Sequence, residues 1–142
     1  MKLSYVSWFI FLLVVSWQDF RKKEISGELL VLMGLMGTGI QCFEKSISLG
    51  SWVLGICLGL FLLFLGFITK EDIGYGDGWL VLVMGITLGF KLSFLSFLLG
   101  LGISALVSGW LLLCKRVKRS YRIPFAPFLM AGCMLSVLVY QI

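Results

Sequence analysis

The chain has no histidine, only 2 prolines and little charge: 13% of its 142 residues are Asp, Glu, Lys or Arg. A water-soluble domain carries nearer a quarter. The shortage, set beside 60% hydrophobic residues and a mean hydropathy of +1.06, excludes an ordinary soluble globule. Metal and disulfide frameworks lack their raw material as well. Cys42, Cys57, Cys114 and Cys133 stand singly in or beside apolar stretches with no CxxC pair, so neither a zinc set nor a disulfide scaffold is supported. They read as small apolar core residues. There is no GxxxxGK phosphate loop and no GxSxG elbow, which removes the common nucleotide and serine-nucleophile chemistries. With 17 glycines but no low-complexity tract, collagen-like and disordered classes are excluded too. What remains is a protein whose solvent is the bilayer.

A net charge of +5 would suggest nucleic acid in a soluble chain. Here the basic residues cluster between apolar runs, which is how a multispanning protein is oriented, and no nucleic-acid partner is expected. Charges divide the sequence into six apolar stretches: Leu3 to Gln18, Leu29 to Phe43, Ser46 to Thr69, Gly78 to Phe90, Leu92 to Cys114 and Ile123 to Ile142. Crossing a bilayer takes about 20 residues, so the second and fourth must borrow flanking residues or dip in without crossing. The first, with Trp17-Gln18-Asp19 where small residues should mark a cleavage site, is read as a retained helix rather than a removable signal.

If all six cross, Arg21, Lys22, Lys23, Lys70, Lys115, Arg116, Lys118, Arg119 and Arg122 fall on one side and Lys2, Lys45 and Lys91 on the other. That asymmetry predicts an all-α, polytopic protein of about six transmembrane helices, one domain over residues 1–142, with both termini outside. The loops 19–28, 70–77 and 115–122 are then cytoplasmic. The last of these reads as an orientation signal, the other reading being a lipid-headgroup or acidic-partner site. Gly55 with Gly59, and Gly85 with Gly89, have the spacing that lets helices pack closely in lipid.

Two aspartates are out of place. Asp19 ends the first stretch just before Arg21, Lys22 and Lys23, and Asp77 lies about one turn inside the membrane boundary if the fourth helix starts near Ile73. An acid at that depth is costly and marks a functional candidate. The plainer readings are a helix-end carboxylate paired with Arg21 or Lys23, and a first-turn acid favoured by the helix dipole. Brought together, two such carboxyls share one proton, and the ionised one activates water while the protonated one polarises a carbonyl. This needs no metal and no cofactor. Gly74, Gly76 and Gly78 strip side chains from around Asp77, so that an extended peptide can approach it; tight helix packing is the competing account.

The segments Asp19-Phe20-Arg21-Lys22-Lys23-Glu24-Ile25, Gly74-Tyr75-Gly76-Asp77 and Ile123-Pro124-Phe125-Ala126-Pro127-Phe128-Leu129 together resemble the type IV prepilin peptidases, which are GxGD-type membrane aspartic proteases. The resemblance runs from Leu3 to Ile142. It departs from the family pattern at Ser26, where proline is usual, at Ala126, where glycine is usual, and at Gly78-Trp79, where a small aliphatic residue and lysine are commoner.

The resemblance implies that Asp19 and Asp77 are catalytic. It implies that Gly74, Tyr75, Gly76, Gly78, Pro124 and Pro127 form or support the substrate groove. The implied substrate is a prepilin or pseudopilin: a basic leader, a glycine before the cut, then an apolar helix lying in the bilayer. The implied place is the bacterial cytoplasmic membrane. Larger relatives carry a cytoplasmic region with paired CxxC motifs and also methylate the new N-terminus. Without those motifs, the peptidase alone is expected, as in short members serving Flp-type or compact Gram-positive pilus and competence systems. Two other readings stand beside it: a different GxGD intramembrane protease, and a non-enzymatic small transporter or assembly subunit.

Overall fold

A computed structural model describes residues 3–22, 26–44, 47–69, 75–114 and 124–141. It contains six helices in chain order: α1 (Leu3–Lys22), α2 (Gly27–Glu44), α3 (Leu49–Ile68), α4 (Tyr75–Leu88), α5 (Phe90–Leu113) and α6 (Ala126–Gln141). Each falls on one apolar stretch of the sequence, and there is no strand among the described residues. Local chemistry sets the ends. The Ser48 hydroxyl accepts the Ser51 amide at 3.4 Å and caps α3, while α6 opens beside Pro124.

Two helices, α3 with 20 residues and α5 with 24, are long and apolar enough to cross a membrane. Over its described residues α4 has only 14, or about 21 Å of rise. Ile73 and Gly74, from which the sequence reading starts it, lie outside the described residues.

Helix α4 is the centre of the bundle. Leu80, Val81, Leu82, Val83, Met84 and Gly85 are buried in succession, the pattern of a helix that is apolar all round and enclosed all round. It touches α1, α2, α3 and α5. Around it α1 packs on α2 and α6, and α5 packs on α6 and α3. The outer surface is apolar, with Phe61, Phe64 and Phe67 on α3 and Leu106, Trp110 and Leu113 on α5 all exposed. Contiguous exposure of that kind marks a surface made for something other than water.

Small residues set the closest crossings. A Cβ on Gly55 would sit 2.6 Å from the carbonyl oxygen of Gly85, and Gly59 lies against the Leu82 backbone. Helices α3 and α4 therefore meet backbone to backbone, as their glycine spacing predicts. On the other side Gly132 of α6 faces Gly100 of α5, with a built Cβ 2.6 Å from the Gly100 nitrogen. Beside it the Ser96 and Ser136 hydroxyls share a hydrogen bond of 2.6 Å.

Gly89 has the close approach its spacing suggests, a built Cβ lying 2.9 Å from Ile47 Cγ2 and from Ser51 Oγ, and a second role besides. Its φ of 79° lies in the left-handed region that glycine reaches at least cost. It is the single residue between α4 and α5, and Phe90 then donates its amide to the Ser51 hydroxyl at 3.1 Å. The break thus falls before Lys91, which sits in the first turn of α5. The cysteines also divide: Cys133 is buried, whereas Cys42, Cys57 and Cys114 are exposed. The core role read from the sequence holds for one of the four.

Candidate active site

Along α1 the buried positions are Trp8, Leu12, Val15, Ser16 and Asp19. Steps of three and four keep one face of a helix inward, so Asp19 is the last member of the stripe that packs α1 into the bundle. It is 6% exposed, while its neighbours Trp17 and Phe20 are 66% and 73% exposed. Arg21 does not answer it. The Arg21 guanidinium lies over the Trp17 ring, 4.8 Å from the centroid, and Lys23 lies outside the described residues.

The partner of Asp19 is the start of α6. Its Oδ2 accepts the Ala126 amide at 3.0 Å, and the Phe125 amide is directed at the same carboxylate. The opening turn of α6 explains why. The Phe125 carbonyl accepts from the amides of Phe128 and Leu129, each at 3.0 Å, which makes Ala126 the first helical residue. Pro127 follows with no N–H to satisfy. The Ala126 amide is thus an orphan donor of a helix N-terminus, and a carboxylate placed there also meets the positive end of the dipole. Phe125 is held in turn by an edge-on contact with Phe97 of α5, ring centroids 6.2 Å apart.

Asp77 enters from the first turn of α4 and is half-buried. Its carboxyl lies within electrostatic range of Asp19, and α1 and α4 are in contact. Two acids 58 positions apart in sequence are thereby brought to the same end of the bundle.

Other predicted site residues divide by position. Tyr75 is exposed and Gly76 half-buried at the α4 start, and Gly74 lies outside the described residues. Gly78 is buried against α3, with a built Cβ 2.9 Å from Leu63 Cδ2. Its lack of a side chain serves helix packing there, and so supports Asp77 without exposing it. Pro124 and Pro127 flank the turn that supplies the donors to Asp19. Ala126 and Phe125 were not singled out from sequence as site residues, because they act through backbone amides that leave no side-chain signature. The proline-flanked helix start was the available signal. Glu28 is exposed; Glu24, Glu71, Asp72 and the basic loop 115–122 lie outside the described residues. Among the described residues no three of Cys, Asp or Glu converge as a metal set.

The described residues thus define an all-α bundle with an apolar outer surface and two carboxyls within electrostatic range of one another at one end. Its residues 6–113, a span that includes both aspartates, match the type IV leader peptidase family, and the chain belongs to that family. Over 94 residues it is 36% identical to the prepilin leader peptidase/N-methyltransferase of Bacillus subtilis (strain 168), a similarity covering 63% of this chain and 38% of that relative. The chain thus matches well under half the length of this curated relative. No solved structure matches it.

Proposed function

We propose that the protein is a membrane aspartic endopeptidase that removes the basic leader of type IV, Flp-type or competence-type prepilins at the cytoplasmic face of the bacterial inner membrane, with Asp19 and Asp77 as the catalytic pair. The observation that carries this reading is the convergence of the two carboxyls at one end of an apolar bundle. Family membership supplies the substrate class. The proposal covers the peptidase only, not the methyl transfer in the relative's name.

Six crossings with both termini outside fit the helix directions. Helices α3 and α4 are antiparallel through Gly55, Gly59 and Leu63 against Gly85, Leu82 and Gly78. Helices α5 and α6 are antiparallel through Gly100 and Ser96 against Leu129 and Gly132. The C-terminal end of α1 then lies with the N-terminal ends of α4 and α6.

In the reaction the ionised carboxylate takes a proton from water, whose oxygen attacks the scissile carbonyl carbon. The protonated carboxyl gives its proton to the carbonyl oxygen, forming a neutral tetrahedral diol. On collapse a diol hydroxyl returns its proton to the second carboxylate as the carbonyl re-forms and the C–N bond breaks, the leaving nitrogen takes the proton first removed from water, and the pair is left again with one shared proton.

Asparagine at either position tests the reading. Asp19→Asn keeps an oxygen that accepts from the Ala126 amide, so the helix contact survives while the charge is lost. Both Asp19→Asn and Asp77→Asn are expected to accumulate in the membrane at wild-type abundance and to leave a co-expressed prepilin uncut. Cleavage by either variant would refute the pair.

A further inference from the structure

The two acids are not equivalent in their surroundings. Asp19 is buried and accepts backbone amide hydrogens from the opening turn of α6. Asp77 has Asp19 as its electrostatic partner and no hydrogen bond among the described residues. A backbone N–H donates and cannot accept. A carboxyl oxygen held by one is therefore best satisfied as an ionised acceptor, whereas a protonated carboxyl wants an acceptor for its own hydrogen. Ionised Asp19, one electrostatic step away, is the natural acceptor for a protonated Asp77.

We infer that the Ala126 amide is a positioning group that divides labour in the pair, holding Asp19 as the charged, water-activating carboxylate and leaving the shared proton on Asp77. The inference rests on the acid-pair reading above. It goes further by assigning the base, the acid and the backbone donor that tells them apart, and it gives the turn Pro124-Phe125-Ala126-Pro127 a chemical role. With no amide on Pro127 and the Phe128 amide turned to the Phe125 carbonyl, Ala126 is the donor from the first turn proper that remains for Asp19.

Among the described residues no other charged or titratable group competes for that role. From α4 the facing group is Asp77 itself. On α6 the titratable residues are Cys133 and Tyr140, about two and four turns further along. From α2 there is Glu28 in the first turn, exposed. On α1 itself Arg21 lies over Trp17.

The test compares two substitutions of one residue in the full-length protein in membranes. The substrate is a synthetic peptide with a basic leader, a glycine and an apolar segment, assayed across a range of pH. Ala126→Gly keeps the amide and is expected to leave the acidic limb at the wild-type pH, whatever its effect on the rate. Ala126→Pro removes the amide at the helix position where proline is best tolerated. Losing a donor to the charged form makes Asp19 harder to ionise, so the acidic limb of the cleavage profile should move to higher pH by about one unit, with cleavage approaching wild type at the alkaline end.

Because Ala126 is fully buried and a proline ring adds bulk there, an amide-to-ester replacement at the same position serves as the second variant. It exchanges the N–H for an oxygen without adding bulk. It also weakens the Phe125 carbonyl that accepts from Phe128 and Leu129, which lowers stability but does not by itself move the pH of the acidic limb, and the same shift is expected. A profile that keeps its wild-type pH dependence in the ester variant, whatever its height, overturns the inference. The two levels of the argument fail separately. An active Asp19→Asn protein refutes the pair, while an inactive Asp19→Asn protein beside an unshifted ester variant refutes only the assignment of roles.

Discussion

At the end of the bundle where α2 and α4 finish, Gln41 Nε2 donates to the Thr87 carbonyl at 2.8 Å, and the Phe90 amide donates to the Ser51 hydroxyl at 3.1 Å. At the other end the helix-terminal amide of Ala126 is met by Asp19, with Asp77 close by. Both ends satisfy backbone groups that a helix leaves open. The first does so with neutral side chains. The second uses a carboxylate and sets another acid beside it, although a neutral oxygen would accept the same amide, and charge in an apolar bundle is costly. Closure of a helix end explains the neutral end completely and the acidic end only in part. The proposed catalytic role accounts for the excess.

The contrast is tested most severely by exchanging charge for a neutral acceptor. Asp19→Asn and Asp77→Asn should each lower prepilin cleavage by a factor of about 100 to 10,000 or more, measured as processed against unprocessed substrate, with protein abundance unchanged. If the acids served closure alone, both variants would cleave as the wild type does.

A second substitution removes the scaffold both ends share. Gly85→Leu drives a side chain into the backbone of Gly55, and overpacking of a tight core costs about 1 to 3 kcal/mol, more where backbone meets backbone. Lowered abundance and a lower detergent melting temperature are expected, with cleavage falling only in step with the amount of folded protein. At the neutral end Gln41→Ala should cost about 1 kcal/mol in a denaturant titration and leave the specific cleavage rate intact. A loss of rate per folded molecule there would erase the distinction between the ends. Smallest of all, Glu28→Gln changes an exposed carboxylate near the acidic end and should stay within about 0.5 kcal/mol with normal cleavage. Inactivity of this variant would move the site towards α2.

The sequence-level reading of the fold succeeded where hydropathy alone decides, and it missed where one backbone torsion decides. Six apolar stretches became six helices within a few residues because charge and glycine interrupt each run. The end of α4 was missed by about two residues because Lys91, a charge, looked like the boundary, while the chain actually turns at the positive φ of Gly89. Cysteine burial was legible only for Cys133, since in an apolar bundle the outer face is as apolar as the core and composition cannot separate them. Asp19 and Asp77 were legible as candidates from cost: an acid next to an apolar run demands a reason. The contact between Asp19 and Ala126 was not legible, because it spans 107 positions and its donor is a peptide group that every residue but proline possesses.

With a single glycine joining them, α4 and α5 share a hinge without slack. Displacing the first turn of α5 should therefore be felt in the last turn of α4, and inserting one flexible residue beside Gly89 should loosen the two helices from one another, read as a lower melting temperature in detergent.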